Sequence, residues 1–328
     1  MNANLRRSRL LVVVVALAAV LAACGSDDNS GTSDSSNLSG TITVDGSSTV
    51  GPLTLAAEEL FTADNPDVQI PVGTSGTGGG FKKFCRGETD MSDASRPIKD
   101  DDPAEGPACK KNGIAYEEIQ VANDGIALVV NKDNTWAKCL TVAQLKKMWE
   151  PAAEGKVKNW NQIDPSFPDE SLTLFGAGTA SGTFDFFTKE INGEEGASRS
   201  DYNPTEDDNV TVRGVEGAKG ALGYFGLSYY EQNQDKLNIV QVDGGDGCIT
   251  PTTDTVQDNS YSPLSRPLFV YPSAALLERP EGLAFVKFYV DNSDEIATNA
   301  LFVPMTAEQK AESVADIDKL SAGSTSTT

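Results

Sequence analysis

Three short loops of this chain combine glycine with hydroxyl side chains, a combination that suits the binding of an oxyanion. They cover residues 46–52, 73–80 and 178–187. Each follows an apolar run and precedes a helical pattern, so free backbone N–H groups and the positive end of a helix would face the same space. A single loop of this kind is more often a helix cap or a turn. Their number predicts a cage of donors around one oxyanion.

A fourth segment, residues 90–98, adds charged groups to this set. Arg96 could donate two parallel hydrogen bonds to an oxyanion, and Asp93 could accept a proton from a monohydrogen species. The alternative is that Arg96 and Asp93 form an ordinary ion pair with each other.

Strand and helix patterns alternate around the loops. Residues 41–45 and 68–72 have strand character, and each run leads through a loop into a helix, over 53–63 and from 81 onward. This alternation predicts an α/β fold in which helices flank a mostly parallel sheet and the ligand lies at the carboxyl ends of the strands. The other predicted elements are strands at 126–130, 172–175, 220–226, 237–242 and 265–271 and a capped helix at 141–149.

The length of 328 residues suits two domains better than one core. We expect the chain to leave domain I near residue 122 and to return near 263, and two crossings of this kind make a hinge. The predicted boundaries are residues 40–122 and 263–320 for domain I, 123–262 for domain II, and 321–328 for a frayed tail.

The N-terminal segment predicts export and anchoring. Arginines precede an apolar run that is too short for a comfortable membrane span, which is typical of a signal peptide over residues 1–23. The run ends in Leu21-Ala22-Ala23-Cys24, which matches the bacterial lipobox, so we expect Cys24 to carry a lipid. The alternative is a plain signal peptide with a chance cysteine. Residues 24–39 are small and polar and predict a flexible tether.

Charge and residue content narrow the class of protein. The formal charge of −22 disfavours nucleic acid as a partner. It also repels a small anion at long range, so an anion site has to act through short-range hydrogen bonds. The chain has no histidine, and its cysteines show no CxxC spacing, so we expect no metal.

The cysteines other than Cys24 allow three disulfide pairings in an exported protein. We favour Cys85 with Cys109, because this pair flanks one compact segment. Cys139 would then pair with Cys248 inside the other domain.

Four segments, GSSTVGPLT, GTSGTGGGFKKFCRGETDMSDASRPI, GTASGTFDFF and GALGYFGLSYY, carry a resemblance to a known family. In order and spacing they resemble the phosphate-binding lipoproteins of bacterial high-affinity phosphate ABC transporters, the PstS family. The resemblance implies a two-domain, hinged periplasmic-binding-protein fold that encloses one dehydrated phosphate in its cleft. It also implies a protein that is lipid-anchored at the extracytoplasmic face of the cell membrane and delivers phosphate to permease subunits. We expect a monomer without a cofactor.

The resemblance implies phosphate contacts in each loop, to which we add Ser95 and Arg96. The implied residues are Ser48, Thr49 and Val50 in the first loop, Ser75 and Thr77 in the second, and Ser181, Gly182 and Thr183 in the third. Asp93 matches an aspartate that faces the phosphate proton in many members. Many members also have an arginine where this chain has Ala177 and lack one at position 96, so we expect Arg96 to supply the cation.

Other functions stand as alternatives. Without histidine, Ser-His-Asp catalysis is impossible, and neither a GxSxG elbow nor a GxxxxGK[ST] loop occurs, so we expect no enzyme. A binding protein for sulfate, molybdate or arsenate would use similar donors. A surface interaction or adhesion protein could use the same fold.

Replacing Cys24 tests the lipid anchor. We expect Cys24→Ala to release the protein into the medium or to leave an uncleaved precursor, because the lipid supplies most of the membrane attachment. Fractionation and mass spectrometry of the N-terminus measure this, with Ser26→Ala as a control in the tether. Normal processing and full membrane retention of Cys24→Ala would contradict lipidation.

Overall fold

The structure, a computed structural model, describes residues 38–323. The predicted signal peptide, Cys24 and most of the predicted tether lie outside the described residues, as do the last five positions of the predicted tail. The strands are β1 Gly40–Thr41, β2 Val44–Gly46, β3 Val68–Gln69, β4 Val72–Gly73, β5 Met91–Ala94, β6 Ile119–Asn131, β7 Cys139–Thr141, β8 Thr173–Ala177, β9 Asn203–Thr205, β10 Ala221–Gly226, β11 Leu237–Asp243, β12 Cys248–Ile249 and β13 Ser265–Pro272.

Helices surround these strands. The α-helices are α1 Gly51–Asp64, α2 Thr77–Phe84, α3 Gly106–Asn112, α4 Val142–Trp149, α5 Gly182–Asn192, α6 Asp208–Gly217, α7 Leu227–Glu231, α8 Thr253–Gln257, α9 Ala274–Leu277, α10 Pro280–Asp291, α11 Ser293–Asn299 and α12 Ala307–Ser321. Short 3-10 helices cover Pro151–Ala153 and Trp160–Gln162. None of the helices in residues 38–323 is both long and apolar enough to cross a membrane.

The larger sheet is mixed, and its strand order is β4-β2-β5-β13-β6-β10-β8-β9. Strand β11 branches from β6, and β7 and β12 pair with β11. Parallel pairs lie in the outer parts, where β2 pairs with β4 and β5, and where β8 pairs with β10 and β9. The pairs that β6 forms with β13, β10 and β11 are antiparallel. The α/β class predicted from the strand and helix alternation is confirmed. The sheet is less uniformly parallel than the sequence suggests, because its centre is built on β6.

Strand β6 connects two hydrophobic cores within one compact unit. Its first residues, Ile119 to Ala122, pack with β2, α1 and α10, whereas Ile126 to Val130 pack with β8, α4 and α5. Strand β13 runs antiparallel to the first half of β6, and its Arg266 lies opposite Asp124. The changeover between the cores therefore falls where β6 and β13 lie side by side.

The first residues of α4 and α2 explain how each of these helices begins. Thr141 caps α4 and forms a capping box with Gln144. Helix α2 begins at Thr77, so Gly78, Gly79 and Gly80 belong to its first turns instead of the open loop expected from the sequence. The reason is packing: a Cβ on Gly80 would lie 2.5 Å from Gly46 Cα and 2.8 Å from the Asp45 carbonyl oxygen. The glycines let α2 lie directly on β2.

Two disulfides close separate parts of the chain. Cys85 bonds to Cys109, and Cys139 bonds to Cys248. This is the pairing that the sequence analysis favours. Cys85 and Cys109 are both fully buried beside Phe84 and Tyr271, so this bridge is part of a small core under the second loop.

Gly80→Ala tests the close approach of α2 to β2. We expect a loss of about 1 to 3 kcal/mol in the free energy of unfolding, because the added methyl group has to displace backbone atoms. Gly217→Ala in α6 is the matched control, since its Cβ would meet no atom within 4 Å. There the change should be neutral or stabilise the protein by up to about 1 kcal/mol. Denaturant unfolding measures both, and equal stabilities would contradict the packing argument.

Candidate functional site

A cleft with a volume of about 710 Å³ lies where the loops meet. The carboxyl ends of β2, β4 and β5 and the amino end of β13 point to one side of it, and the start of α5 forms the other side. Of the residues predicted for the site, seven line this cleft: Ser48, Thr49, Ser75, Thr77, Ser95, Arg96 and Gly182. Val50, Ser181, Thr183 and Asp93 are not among its lining residues.

The first loop is held by the hydroxyl of Ser47. Its oxygen accepts the backbone N–H of Thr49 at 3.1 Å and that of Val50 at 3.4 Å. The backbone carbonyl of Asp93 accepts the N–H of Ser47 at 2.9 Å. Gly46 has a φ of 154°, and a Cβ there would overlap that same carbonyl oxygen, so glycine is needed for this close approach. As a result, Ser48 and Thr49 line the cleft, while Val50 is buried behind them.

The second loop is held by Asp45. One carboxylate oxygen accepts both the backbone N–H of Ser75, at 3.0 Å, and the Ser75 hydroxyl. The other oxygen forms an ion pair with Lys83 at 2.5 Å. Burial alone would raise the pKa of Asp45, but the hydrogen bonds from Lys83 and Ser75 outweigh it and hold the pKa below 3.8. Beyond this loop, Thr77 Oγ1 lies 3.0 Å from Ser95 Oγ and accepts the backbone N–H of Ser95.

The third loop is a helix cap that contacts the first loop. Ser181 is the N-cap of α5, and its hydroxyl accepts the backbone N–H of Thr183 at 3.2 Å. A Cβ on Gly182 would overlap the Thr49 hydroxyl and lie 3.0 Å from the Thr49 nitrogen. Only glycine lets the start of α5 come this close to the first loop.

Arg96 lines the cleft but pairs with Glu105 behind it. Its two terminal nitrogens donate to the two Glu105 oxygens at 2.9 and 2.7 Å, and Glu105 is 1% exposed. The predicted alternative, an ion pair between Arg96 and Asp93, is wrong. Arg96 keeps its Nε–H and one Nη2–H without a partner among the described residues, so the guanidinium is oriented and still has donors to offer.

A second arginine, Arg266 at the start of β13, also lines the cleft. It donates to Asp124 Oδ2 from Nε and Nη2 at 3.1 and 3.0 Å, and Nη2 also donates to Thr49 Oγ1 at 3.1 Å. Its guanidinium carbon lies 3.8 Å from the centre of the Phe186 ring in α5. Burial lowers the pKa of Arg266, and Asp124 opposes that effect. The two Nη1–H groups have no partner in the part of the chain that the structure describes.

Asp93 is fully buried beneath the first loop. Its Oδ1 accepts the Thr54 hydroxyl at 2.8 Å, and its Oδ2 has no partner among the described residues. Burial raises its pKa to about 7, against the lowering effect of the Thr54 hydrogen bond. The side chain predicted to accept a ligand proton thus lies outside the cleft lining, directly beneath the first loop.

The sequence analysis did not place Asp45, Glu105, Asp124 or Phe186 in the site. Each acts on a cleft residue through a contact in space, and the separation along the chain is nine positions for Glu105 and Arg96 but 142 for Asp124 and Arg266. A usable signal was the position of Arg266 at the start of the predicted strand 265–271, next to the expected return of the chain to domain I near residue 263.

Comparison with known proteins defines the class to which this protein belongs. Residues 31–295 match a family model described as PBP superfamily domain. A solved structure of a possible phosphate binding protein from Planctomyces limnophilus superposes with a TM-score of 0.81 and 44% identity, over 87% of this chain and 99% of that one.

Two curated relatives narrow the class. Protein SphX of Synechocystis is 45% identical over 83% of this chain and 81% of its own length. The phosphate-binding protein PstS of Staphylococcus saprophyticus is 40% identical over 92% of this chain and 91% of its own length. This chain belongs to the PstS family of the PBP superfamily.

Asp93 should make stability depend on pH in a specific direction. Because its folded-state pKa of about 7 exceeds the unfolded value near 3.8, the folded state holds the proton more tightly, so its contribution to stability is lost as pH rises from about 4 to 7. Asp93→Asn lacks this titration. We expect the stability of the variant relative to wild type to rise by a few kcal/mol between pH 4 and 8, measured by urea unfolding. Parallel pH profiles would contradict the buried, protonated state.

Proposed function

We propose that this protein is an extracytoplasmic substrate-binding protein that captures inorganic phosphate and delivers it to an ABC transporter permease. The observation that carries the proposal is the convergence of three hydroxyl-bearing loops and two oriented guanidinium groups on one cleft. A relative that is named a phosphate-binding protein covers nearly the whole chain at 40% identity, which supports the same ligand.

The charge of the cleft lining favours an anion more than the net charge of the whole chain does. The basic residues that line it are Lys82, Arg96, Lys99, Lys189 and Arg266, and the acidic ones are Asp185, Glu190 and Glu195. The lining is therefore slightly basic in a chain of net charge −22. Since bulk charge repels a dianion, affinity has to come from donors in contact with it.

Phosphate has to lose water to use these donors. A volume of 710 Å³ corresponds to about 24 water molecules at ~30 Å³ each, far more than one small anion displaces. We infer that the two cores close around the ligand by bending where β6 and β13 run side by side. On this view residues 40–122 and 263–320 form one domain and 123–262 the other.

Attachment and partners follow from the same role. We propose that Cys24 is lipidated after removal of residues 1–23, and that residues 24–39 tether a monomer near its permease at the outer face of the membrane. No catalysis is part of this role. Sulfate and molybdate are alternative ligands for the same donors, and no observation favours adhesion.

Calorimetric titration of the purified protein with phosphate and with sulfate tests the ligand. We expect phosphate binding at micromolar concentration or tighter and much weaker sulfate binding. Failure to bind phosphate, or turnover of a phosphate ester, would overturn the proposed function.

Variants at Arg96 test which charge holds the anion. Arg96→Lys keeps the charge and the pairing with Glu105 but loses the planar fork, so we expect phosphate affinity to fall by about tenfold. Arg96→Ala should lose more, about 1.5 to 3 kcal/mol, for a charged hydrogen bond. Arg86→Lys and Arg86→Ala are matched controls, because Arg86 is exposed and pairs with Glu88 away from the cleft.

The same titrations of Arg266→Lys decide between the two arginines. Normal affinity in both Arg96 variants together with a loss in Arg266→Lys would contradict the role of Arg96. The anion would then be held by the Nη1 donors of Arg266.

A further inference from the structure

We propose that Ser75 presents a hydrogen-bond acceptor to the cleft and so selects an oxyanion that carries a proton. The inference rests on the proposed function and specifies which form of the ligand the site prefers. It concerns the direction of one hydroxyl group, which the buried carboxylate of Asp45 sets.

The direction follows from what each group can donate. An ionised carboxylate only accepts, and a serine hydroxyl has one proton and two lone pairs. Asp45 accepts the Ser75 hydroxyl and the Ser75 backbone N–H on the same oxygen. The single hydroxyl proton of Ser75 is therefore committed to Asp45, and only lone pairs remain for the cleft that Ser75 lines.

Asp45 stays ionised because of its other neighbours. Lys83 forms an ion pair with the second carboxylate oxygen, and the pKa of Asp45 lies below its ordinary value. Asp45 is 8% exposed, so water competes little for its oxygens. The acceptor that Ser75 bonds to is thus charged and largely shielded.

Two glycines make room for this pair. A Cβ on Gly73 would overlap Asp45 Oδ2, and a Cβ on Gly79 would lie 2.7 Å from Ser75 Oγ. Both positions lie in the glycine-rich second loop and the start of α2. The glycines there serve the Asp45 and Ser75 contact at least as much as access to the peptide backbone.

Two other hydroxyls that line the cleft have the opposite direction. Ser47 accepts from two backbone N–H groups, and Thr49 accepts from Arg266. Each of these oxygens keeps its own proton to donate. A tetrahedral anion surrounded by such donors finds at Ser75 an oxygen that can accept its P–OH, which a fully deprotonated anion does not have.

Monofluorophosphate provides a clean test against inorganic phosphate. It has the shape and charge of monohydrogen phosphate, but fluorine replaces the hydroxyl group, so it has no proton to donate. We expect wild type to bind phosphate about tenfold more tightly than monofluorophosphate at pH 8, because one hydrogen bond is lost and lone pairs face fluorine.

Matched variants separate the effect of Ser75 as an acceptor from the effect of the hydroxyl groups that donate to the anion. Ser75→Ala removes the acceptor and should bring the ratio of the two affinities close to one. Ser48→Ala, the same substitution at a cleft hydroxyl with no carboxylate partner among the described residues, should weaken both anions alike and keep the ratio. Circular dichroism melts confirm that each variant is folded.

Variants of Asp45 test whether Asp45 controls the direction of the Ser75 hydroxyl group. Asp45→Ala frees the Ser75 proton, so the ratio should fall although Ser75 is intact. Asp45→Asn should preserve it, because the amide oxygen can still accept both Ser75 donors while the partly exposed Lys83 side chain can turn towards solvent.

The outcomes distinguish the two proposals. If wild type binds neither anion, the proposed function fails. If wild type binds phosphate but the ratio is already one, or is unchanged in Ser75→Ala, the role of Ser75 is overturned and the function stands.

Discussion

The ion pair between Arg266 and Asp124 is the contact on which the site depends. The two residues lie opposite each other on β13 and β6, where the hydrophobic core changes from one cluster to the other. From there Arg266 reaches Thr49 in the first loop and Phe186 in α5. One guanidinium group thus connects the β6–β13 pair, the first loop and helix α5. Removing its carboxylate partner would leave a largely buried charge without compensation.

Although the chain is strongly acidic, individual buried carboxylates each orient one residue that lines the cleft. Glu105 orients Arg96, Asp124 orients Arg266, and Asp45 orients Ser75. Each of these acids is largely buried, and each acts from behind a residue that lines the cleft. Placed this way, negative charge organises an anion site, because a short hydrogen bond in a shielded location outweighs the screened repulsion of distant surface charges.

Much of the fold could be predicted from the sequence. Helix α4 with its Thr141 cap, the long apolar strand around 126–130 and the alternation around the first two loops all follow local rules. The predicted strand at 41–45 is in fact two short strands, β1 and β2. The triglycine segment is helical because its lack of side chains serves helix packing, which a loop rule based on composition does not detect.

The sequence by itself determined the α/β class, the family and the loops whose residues line the cleft, because glycine and hydroxyl patterns next to strands are local properties. Only the tertiary structure decided how the charged groups pair. Arg96 bonds to Glu105 and not to Asp93, and Asp93 lies buried against Thr54. Such pairings depend on strand register and side-chain burial, whether the partners are nine positions apart, as Arg96 and Glu105 are, or 39 apart, as Asp93 and Thr54 are. The direction of a hydroxyl group depends on its neighbour in space, so no spacing along the sequence could reveal it.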